Sequence, residues 1–328
     1  KLQTWEEFLS TTPEKREYTI NGILPDSGLV VLLGRGKHGK STLAVHACRA
    51  IGTGWDFLER QTKKKPIVYV NYEMAEDYLQ TLLRAGDCPK GAFIINRPET
   101  ILSLKTIGGL MAQVENGPGV MVIDSFRGAF KLQGDAENLA GGAGVILRQL
   151  QDLAIDKGWL VILIHHSNRG SKEGTDSVSG TSDWIAAPDV LWSWSRPDPD
   201  KSGTLIVEGR IPPLEPMAVK LTLEECNFVG TVKEDQEQTD KQEIIAALSE
   251  EGQTSEEIAR AIGKPPGTTR TRLDSLYRED LVGREGTGRR GKPYKWIRID
   301  SAQDNPLSAE TKFEEPNEEK DKWQTLDL

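Results

Sequence analysis

Residues 29–50, LVVLLGRGKHGKSTLAVHACRA, decide the fold of this chain. The apolar run that ends at Gly34 predicts a buried strand, and the pattern from Ser41 onwards predicts a helix. The loop between them matches G-x-x-x-x-G-K-[ST] at every fixed position. Glycines let backbone N–H groups converge on phosphate oxygens, and the helix N-terminus adds a positive dipole end. A chance glycine-rich turn is the alternative, which the strand–loop–helix context disfavours. We expect a bound nucleotide to contact Gly34, Arg35, Gly36, Lys37, His38, Gly39, Lys40, Ser41 and Thr42.

Two residues of this loop and one distant carboxylate predict an ATP–Mg²⁺ site. Lys40 is expected to reach the β- and γ-phosphates, and Ser41 to ligate Mg²⁺. Asp124 ends the apolar strand GVMVID, where a carboxylate can hold Mg²⁺ through water. Many strands end in Asp for turn reasons alone, so the upstream phosphate loop is what favours the metal role.

Three further polar residues follow predicted strands. Glu73, in VYVNYEM, is placed to polarise an attacking water, or alternatively to stabilise the N-terminus of the next helix. His165 and His166 follow WLVILI, at the strand end that faces the ligand crevice of an open α/β sheet. They are expected to sense the γ-phosphate; a buried hydrogen-bonded histidine is the alternative, and a metal ligand is less favoured because no Cys or third His is near.

The chain alternates short apolar strands with helical patterns from residue 28 to about 226. This order predicts an α/β domain with a mainly parallel sheet covered on both faces. We expect an ATPase domain with its entry segment over residues 1–228 and an acidic, aperiodic linker over 229–240. Three short helices and a two-strand hairpin follow over 241–300, and an acidic, disordered tail over 301–328.

The segment 241–300 predicts a winged helix-turn-helix, whose third helix would enter a DNA major groove. Thr268, Thr269, Arg270 and Arg272 are the expected groove-facing side chains. We call residues 284–298 the wing; it holds six cations and one acid, a density suited to phosphate contacts. A protein-interaction module is the alternative. The expected DNA contacts of this segment are Arg270, Arg272, Arg289, Arg290 and Lys292.

Composition excludes several classes of protein. The 328 residues have a formal net charge of −9, which argues against a general nucleic-acid coat protein unless the charge is unevenly distributed. It is uneven, because the tail carries eight acids against three lysines while the wing is basic. No apolar run approaches the ~20 residues that span a bilayer, and KLQTWEEFLS lacks a signal-peptide core. Three widely spaced cysteines build no disulfide framework, so a cytoplasmic location without membrane contact is expected.

Four segments together resemble one known family. GRGKHGKST, VYVNYEM, VMVIDSFRGAF and VILIHHSNRG are similar to the RecA-like ATPases of the RepA-type hexameric helicase group, of the AAA_25 type. The resemblance covers residues 20–225. It implies that Glu73 is the catalytic base, Asp124 the Walker B acid and His166 the γ-phosphate sensor. It also implies a homohexameric ring that acts on DNA.

The resemblance further implies a basic finger that completes each ATP site from the neighbouring subunit. Members of the group commonly carry K-x-R after a late strand, where this chain has Glu208-Gly209-Arg210. Arg210 fits the finger, although Glu208 replaces the lysine of the pattern. Some relatives carry a further arginine where this chain has Ser179. Arg169 and Lys172 are other candidates for the finger. Loops 125–142 and 167–182 would face the ring centre, where Arg127, Arg169 and Lys172 would contact single-stranded DNA.

The sequence therefore predicts an ATP-dependent DNA helicase or replication ATPase. An ATP-gated DNA-binding regulator that does not separate strands is one alternative, and a RecA/RadA-like recombination ATPase is another. The tail ends in apolar residues after its acidic run, and a solubilising disordered segment is the favoured interpretation. Docking on a replication partner, or covering the basic wing of the same chain, are the alternatives.

Overall fold

The structure is a computed structural model that describes residues 2–10, 16–130, 142–167, 183–289 and 292–299. The predicted tail and the predicted contacts Arg169, Lys172 and Arg290 lie outside these ranges. The chain divides into two compact units after Gln236. Among the described residues, no helix is long and apolar enough to cross a membrane.

A nine-stranded sheet forms the centre of the first unit, in the order β11-β10-β9-β8-β3-β7-β6-β4-β5. Strands β8, β3, β7, β6, β4 and β5 are parallel, and β9, β10 and β11 extend the sheet antiparallel. The expected α/β fold with a mainly parallel sheet is confirmed. The strands are β3 (Gly28–Gly34), β4 (Ile67–Asn71), β5 (Phe93–Asn96), β6 (Val120–Asp124), β7 (Leu160–His166), β8 (Val190–Ser195), β9 (Gly203–Gly209), β10 (Met217–Leu221) and β11 (Cys226–Thr231).

Helices cover both faces of the sheet and produce two apolar layers. One layer packs α2 on Tyr69, Val122 and Ile162, and the other packs α6 on Val31, Ile123 and Leu163. The near-continuous apolar strands follow from this burial on both faces. The helices are α1 (Trp5–Leu9), α2 (Lys40–Thr53), α3 (Glu76–Ala85), α4 (Leu104–Ala112), α5 (Phe126–Phe130), α6 (Gly142–Lys157) and α7 (Asp183–Ala186); a small ribbon pairs β1 (Tyr18–Ile20) with β2 (Leu24–Pro25).

The second unit contains helices and one antiparallel hairpin. Helix α8 (Val232–Ala247) continues into it across the division of the chain, followed by α9 (Ser255–Ala261) and α10 (Pro266–Arg278). Strands β12 (Val282–Glu285) and β13 (Lys295–Arg298) form the hairpin. Its core contains Ile244, Ile258, Leu273, Leu276, Val282 and Trp296.

The sequence predicted an irregular linker over residues 229–240, and this is wrong for its secondary structure. Residues up to Thr231 complete β11, and α8 begins at Val232. The apolar periodicity is weak because α8 buries only Asp240 and Ile244 among the described residues. Its polar side chains pair with cations instead, as Asp240 does with Lys264 and Arg272.

Candidate functional site

The glycine-rich loop follows β3 and ends at the first residue of α2. Gly39 caps the helix with φ of +88°, a left-handed conformation that favours glycine. A Cβ on Gly34 would lie 2.3 Å from the Trp194 carbonyl oxygen, so β8 leaves room there only for glycine. The first N–H groups of α2 have no partner within the helix and point into the loop. The geometry suits a bound phosphate group.

Lys40 is buried at the base of this loop. Its Nζ donates to the carbonyl oxygens of Gly34 and Arg35, both at 2.8 Å, and lies 3.1 Å from His166 Nδ1. Burial lowers the pKa of Lys40 to about 8, and the carboxylates of Asp124 and Glu73 partly oppose this shift. A bound phosphate would add negative charge beside this buried ammonium and so raise the pKa of Lys40 toward its ordinary value.

Asp124 lies at the carboxyl end of β6, almost fully buried. Tyr69 on β4 donates its hydroxyl to Asp124 Oδ2 at 2.8 Å, and Ser41 also hydrogen-bonds to the carboxylate. Burial raises the pKa of Asp124, while the hydrogen bonds from Ser41 and Tyr69 lower it. A carboxylate beside a hydroxyl is the oxygen donor set that Mg²⁺ prefers, so these residues fit the expected ion.

Glu73 follows β4 in a turn that Asn71 stabilises. The Asn71 Oδ1 accepts hydrogen bonds from the backbone N–H groups of Glu73 (3.2 Å) and Met74 (2.9 Å). The Glu73 carboxylate lies 2.9 Å from His166 Nε2. The hydrogen bond from His166 lowers the pKa of Glu73 to about 2 against the opposing effect of burial, and Ser125 contributes a second hydrogen bond. Glu73 is therefore an ionised acceptor at neutral pH.

The two neighbouring histidines have different environments because successive strand residues face opposite sides of the sheet. His166 joins Lys40 to Glu73 through its two ring nitrogens. His165 turns the other way and stacks on Trp184, with ring centroids 3.8 Å apart and an interplanar angle of 5°. Burial, followed by the positive charges of His166, Lys40 and Arg127, lowers the pKa of His165 to about 3.

A cavity of about 550 Å³ joins these groups. Lys40, Ser41, Glu73, Asp124 and His166 line one part of it. The strands that carry them, β3, β4, β6 and β7, are parallel neighbours, so their carboxyl ends meet at one edge of the sheet. The structure thus brings together all but one of the residues expected to be catalytic or metal-binding.

The other part of the cavity contains residues that the sequence analysis missed: Tyr78, Arg196, Pro199, Leu221, Thr222 and Leu223. The Arg196 backbone N–H donates to His38 Nδ1 at 3.1 Å, and its guanidinium donates to the Leu221 carbonyl. The signal was available, since Arg196 follows the strand VLWSWS as Glu73 follows its own strand. The β10–β11 turn had no comparable motif.

Arg210 is the exception among the expected catalytic residues. It follows β9, whose Gly209 pairs with Val190 at the amino end of β8. Its guanidinium lies 3.4 Å from Asp189 Oδ1, and Asp189 Oδ2 accepts a hydrogen bond from the Leu29 backbone N–H. Arg210 is therefore at the opposite edge of the sheet from the phosphate loop of its own chain.

In the second unit, two of the four α10 side chains that were expected to face a DNA groove do not lie on the exposed surface of the helix. Thr269 is buried, and Arg272 pairs with Glu237 at 3.2 Å and Asp240 at 3.5 Å. The expectation that these two side chains face a groove is wrong, because α10 turns them toward its own unit. Arg270 is exposed, as are Thr268, Thr271 and Arg278.

The wing also contains an internal cation. The Arg284 guanidinium lies 4.2 Å from the ring centroid of Tyr277 and 4.3 Å from that of Tyr294, and it pairs with Asp274 at 3.4 Å. Such a cation stabilises the hairpin against α10. Arg289, Lys292, Lys295 and Arg298 are exposed, and so is Arg127 on α5 of the first unit.

A family model matches more than half of the chain. The AAA_25 family model, described as an AAA domain, matches residues 1–172, and the chain belongs to this family. A crystal structure of the RadB recombinase aligns with a TM-score of 0.44 and 17% identity, covering 62% of this chain and 90% of that one. The structure of a DnaB-like replicative helicase, described with its interactions with primase, gives 0.47 and 14%, covering 62% and 57%. No curated protein matches the chain.

Proposed function

We propose that this AAA_25 protein binds and hydrolyses ATP in the cavity between Lys40 and Glu73 and acts on DNA as a helicase or related replication ATPase. The observation that carries the proposal is the convergence of Lys40, Glu73, Asp124 and His166 on one cavity beside a phosphate loop. These residue types supply the phosphate clamp, the acidic metal ligand and the water-orienting group that phosphoryl transfer needs.

The hydrogen bonds of Lys40 suggest how ATP would change the site. Its ammonium donates to two loop carbonyls and contacts His166. A γ-phosphate in the loop would compete for this ammonium with a stronger, charge-assisted bond. Lys40 would then turn from His166 toward the phosphate, and the His166 ring would lose the donor on its Nδ1.

Glu73 is the group proposed to orient the attacking water. While His166 donates to it, the carboxylate is ionised but its lone pairs are partly occupied. The network assigns the His166 proton to Nε2, because Lys40 has only donors to offer Nδ1. Rotation of the His166 ring away from Glu73 would free the carboxylate to accept a hydrogen bond from water. Glu73 would then take a proton from this water as it attacks the γ-phosphorus and the bond to the ADP oxygen breaks.

Ser41 and Asp124 are proposed to hold Mg²⁺, directly or through water. The ion would supply positive charge that offsets the negative charge developing on the phosphate oxygens during transfer. Lys40 contributes a second positive charge on the same oxygens, while Glu73 remains on the water side. The two carboxylates thus have different roles, one buried beside a hydroxyl and one half exposed beside a histidine.

DNA binding is proposed for both units. In the second unit, three helices and an antiparallel hairpin support a winged helix, with Arg270, Arg278, Arg289, Lys292, Lys295 and Arg298 as exposed cations. In the first unit, Arg127 is exposed directly after the metal-binding strand. Such cations would contact phosphates and make the affinity strongly dependent on salt.

A hexameric ring with Arg210 acting in trans is also proposed. Arg210 is more than half exposed at the edge of the sheet opposite its own phosphate loop, so it is accessible to a neighbouring subunit. A guanidinium placed on transferring phosphate from another subunit stabilises the transition state.

An ATP-gated DNA-binding regulator is the second candidate function. The contact between His166 and Glu73 favours it, because a base held by hydrogen bonds gives slow turnover and a long-lived ATP state. Strand separation distinguishes the two candidates, since a regulator binds DNA in response to ATP without unwinding it.

The test measures ATP hydrolysis with and without single-stranded DNA, and then unwinding of a forked duplex. The helicase proposal predicts hydrolysis that DNA accelerates and ATP-dependent release of one strand. Hydrolysis without strand release supports the regulator. Absence of ATP binding contradicts both.

A further inference from the structure

Tyr69 lies in the middle of β4, beneath the helix that follows the phosphate loop. Its ring belongs to the apolar layer with Leu43 of α2 and Val122 of β6, and only 2% of the residue is exposed. The β4–β6 register pairs Tyr69 with Val122 and Asn71 with Asp124. Tyr69 and Asp124 therefore face the same side of the sheet, two positions apart, at the distance that a tyrosine side chain spans.

The Tyr69 hydroxyl is directed at the metal-binding pair and not only at the apolar layer. It donates to Asp124 Oδ2 at 2.8 Å, and the Ser41 hydroxyl lies against the same two groups. Three oxygens from β4, β6 and α2 thus meet at one buried point. Hydrogen bonds to a charged group are the stronger kind, so this contact restricts the rotation of the carboxylate.

We propose that Tyr69 is a positioning residue for magnesium: it fixes the Asp124 carboxylate beside Ser41 so that the two can bind the ion. The proposal rests on the ATP–Mg²⁺ site proposed above. Tyr69 occupies Oδ2, so Oδ1 and the Ser41 oxygen are the atoms proposed to face the cation or its waters. Mg²⁺ requires nearly ideal octahedral geometry, so a freely rotating carboxylate lowers its affinity. Residues that orient metal ligands typically change metal affinity 10–100-fold when mutated.

A purely structural role for Tyr69 makes a different prediction. The ring fills the layer under α2, and a phenylalanine fills the same space. If packing were the whole role, Tyr69→Phe would leave the magnesium dependence of nucleotide binding unchanged. Only the hydroxyl connects Tyr69 to Asp124 and Ser41, and its removal separates the two roles.

The experiment titrates Mg²⁺ into the full chain with a fluorescent N-methylanthraniloyl-ADP as the probe. Tyr69→Phe is compared with wild type and with Tyr72→Phe, a matched control whose hydroxyl donates to the Thr100 carbonyl away from the metal-binding pair. We expect the Mg²⁺ concentration at half-saturation to rise about tenfold for Tyr69→Phe. Binding of the probe in EDTA, and the magnesium response of Tyr72→Phe, should match wild type.

Three results would overturn the proposal. The first is a Tyr69→Phe protein whose half-saturating Mg²⁺ concentration stays within twofold of wild type while the probe binds. The second is a Tyr69→Phe chain that loses its cooperative thermal unfolding transition by circular dichroism, because the hydroxyl would then be needed for folding. The third is a wild-type protein that does not bind the probe at all, a result that removes the proposed nucleotide site as well.

Discussion

At the residue scale, the site depends on which face of a strand each polar side chain occupies. Glu73, Asp124 and His166 could be found in the sequence because each follows an apolar strand. Residue type and position alone did not separate His166 from His165, whereas the family resemblance selected His166. The structure supplies the reason, since His165 stacks on Trp184, which is distant along the chain. Tyr69 also escaped notice, since a tyrosine inside an apolar strand looks like ordinary core until Asp124 lies beside it.

Lys40 gives a prediction for the dependence of stability on pH. Its pKa is about 8 in the folded protein and near 10.5 in the unfolded chain. The unfolded state therefore binds more protons between these values, and the free energy of unfolding rises with pH across this range. Relative to a Lys40→Met variant, wild type should gain about 2–3 kcal/mol between pH 7 and pH 10.

Urea denaturation of both proteins at these two pH values measures this gain. The comparison with Lys40→Met cancels the titration of other groups that the two proteins share. A constant difference between them would show that Lys40 keeps its ordinary pKa in the folded protein and would contradict its desolvation. In parallel, Lys40→Met should fail to bind ATP.

At the element scale, α8 and α10 show where sequence patterns stop being informative. The apolar positions of α10 predicted a helix correctly, but the functional face was assigned from its cations alone. The structure turns Arg272 toward Glu237 and Asp240 in the first part of α8, which the sequence analysis assigned to the linker. A helix that buries mostly ion pairs has no apolar period to detect.

Arg270 and Arg272 are two positions apart and should respond differently to alanine. Arg270→Ala removes an exposed cation, so it should leave the free energy of unfolding within about 0.5 kcal/mol. It should weaken DNA binding and reduce the salt slope by about 1. Arg272→Ala removes one partner of the buried Asp240 and should cost about 1–2 kcal/mol.

Urea denaturation and fluorescence anisotropy with labelled duplex DNA measure the two effects. Binding by Arg272→Ala should be compared under conditions where the variant is folded, and its salt slope should equal that of wild type. A salt slope lowered by Arg272→Ala but not by Arg270→Ala would contradict the assignment of the exposed face.

At the scale of the whole molecule, the net charge of −9 conceals a small basic surface in the second unit. The structure makes this surface smaller than the sequence suggested, because Arg272 and Arg284 are used within the unit. The sequence predicted the parallel sheet and its order of elements well, since apolar runs and helical periods record local burial. It could not predict the β10–β11 wall of the cavity, because this hairpin reaches the phosphate-loop helix only through contacts between residues distant along the chain, such as His46 and Thr222.

Arg210 gives a prediction about assembly. Mixing Arg210→Ala with wild type should lower ATP hydrolysis below the average expected from the two proportions, because each variant subunit also disables a wild-type neighbour. Lys220→Ala, which removes an exposed cation from β10 in the same antiparallel part of the sheet, is the matched control and should follow the linear average. Linear behaviour of Arg210→Ala mixtures would contradict a role in trans.

Single-turnover phosphate release measures most directly whether Glu73 activates water in the cavity where Lys40 is proposed to bind phosphate. Glu73→Gln keeps the size and hydrogen-bonding capacity of the side chain but cannot take a proton. It should bind ATP with an affinity close to that of wild type and release phosphate at least about 100-fold more slowly. Glu76→Gln, an exposed residue in the first turn of α3, should behave as wild type. A Glu73→Gln protein that binds ATP and releases phosphate at the wild-type rate would contradict the account.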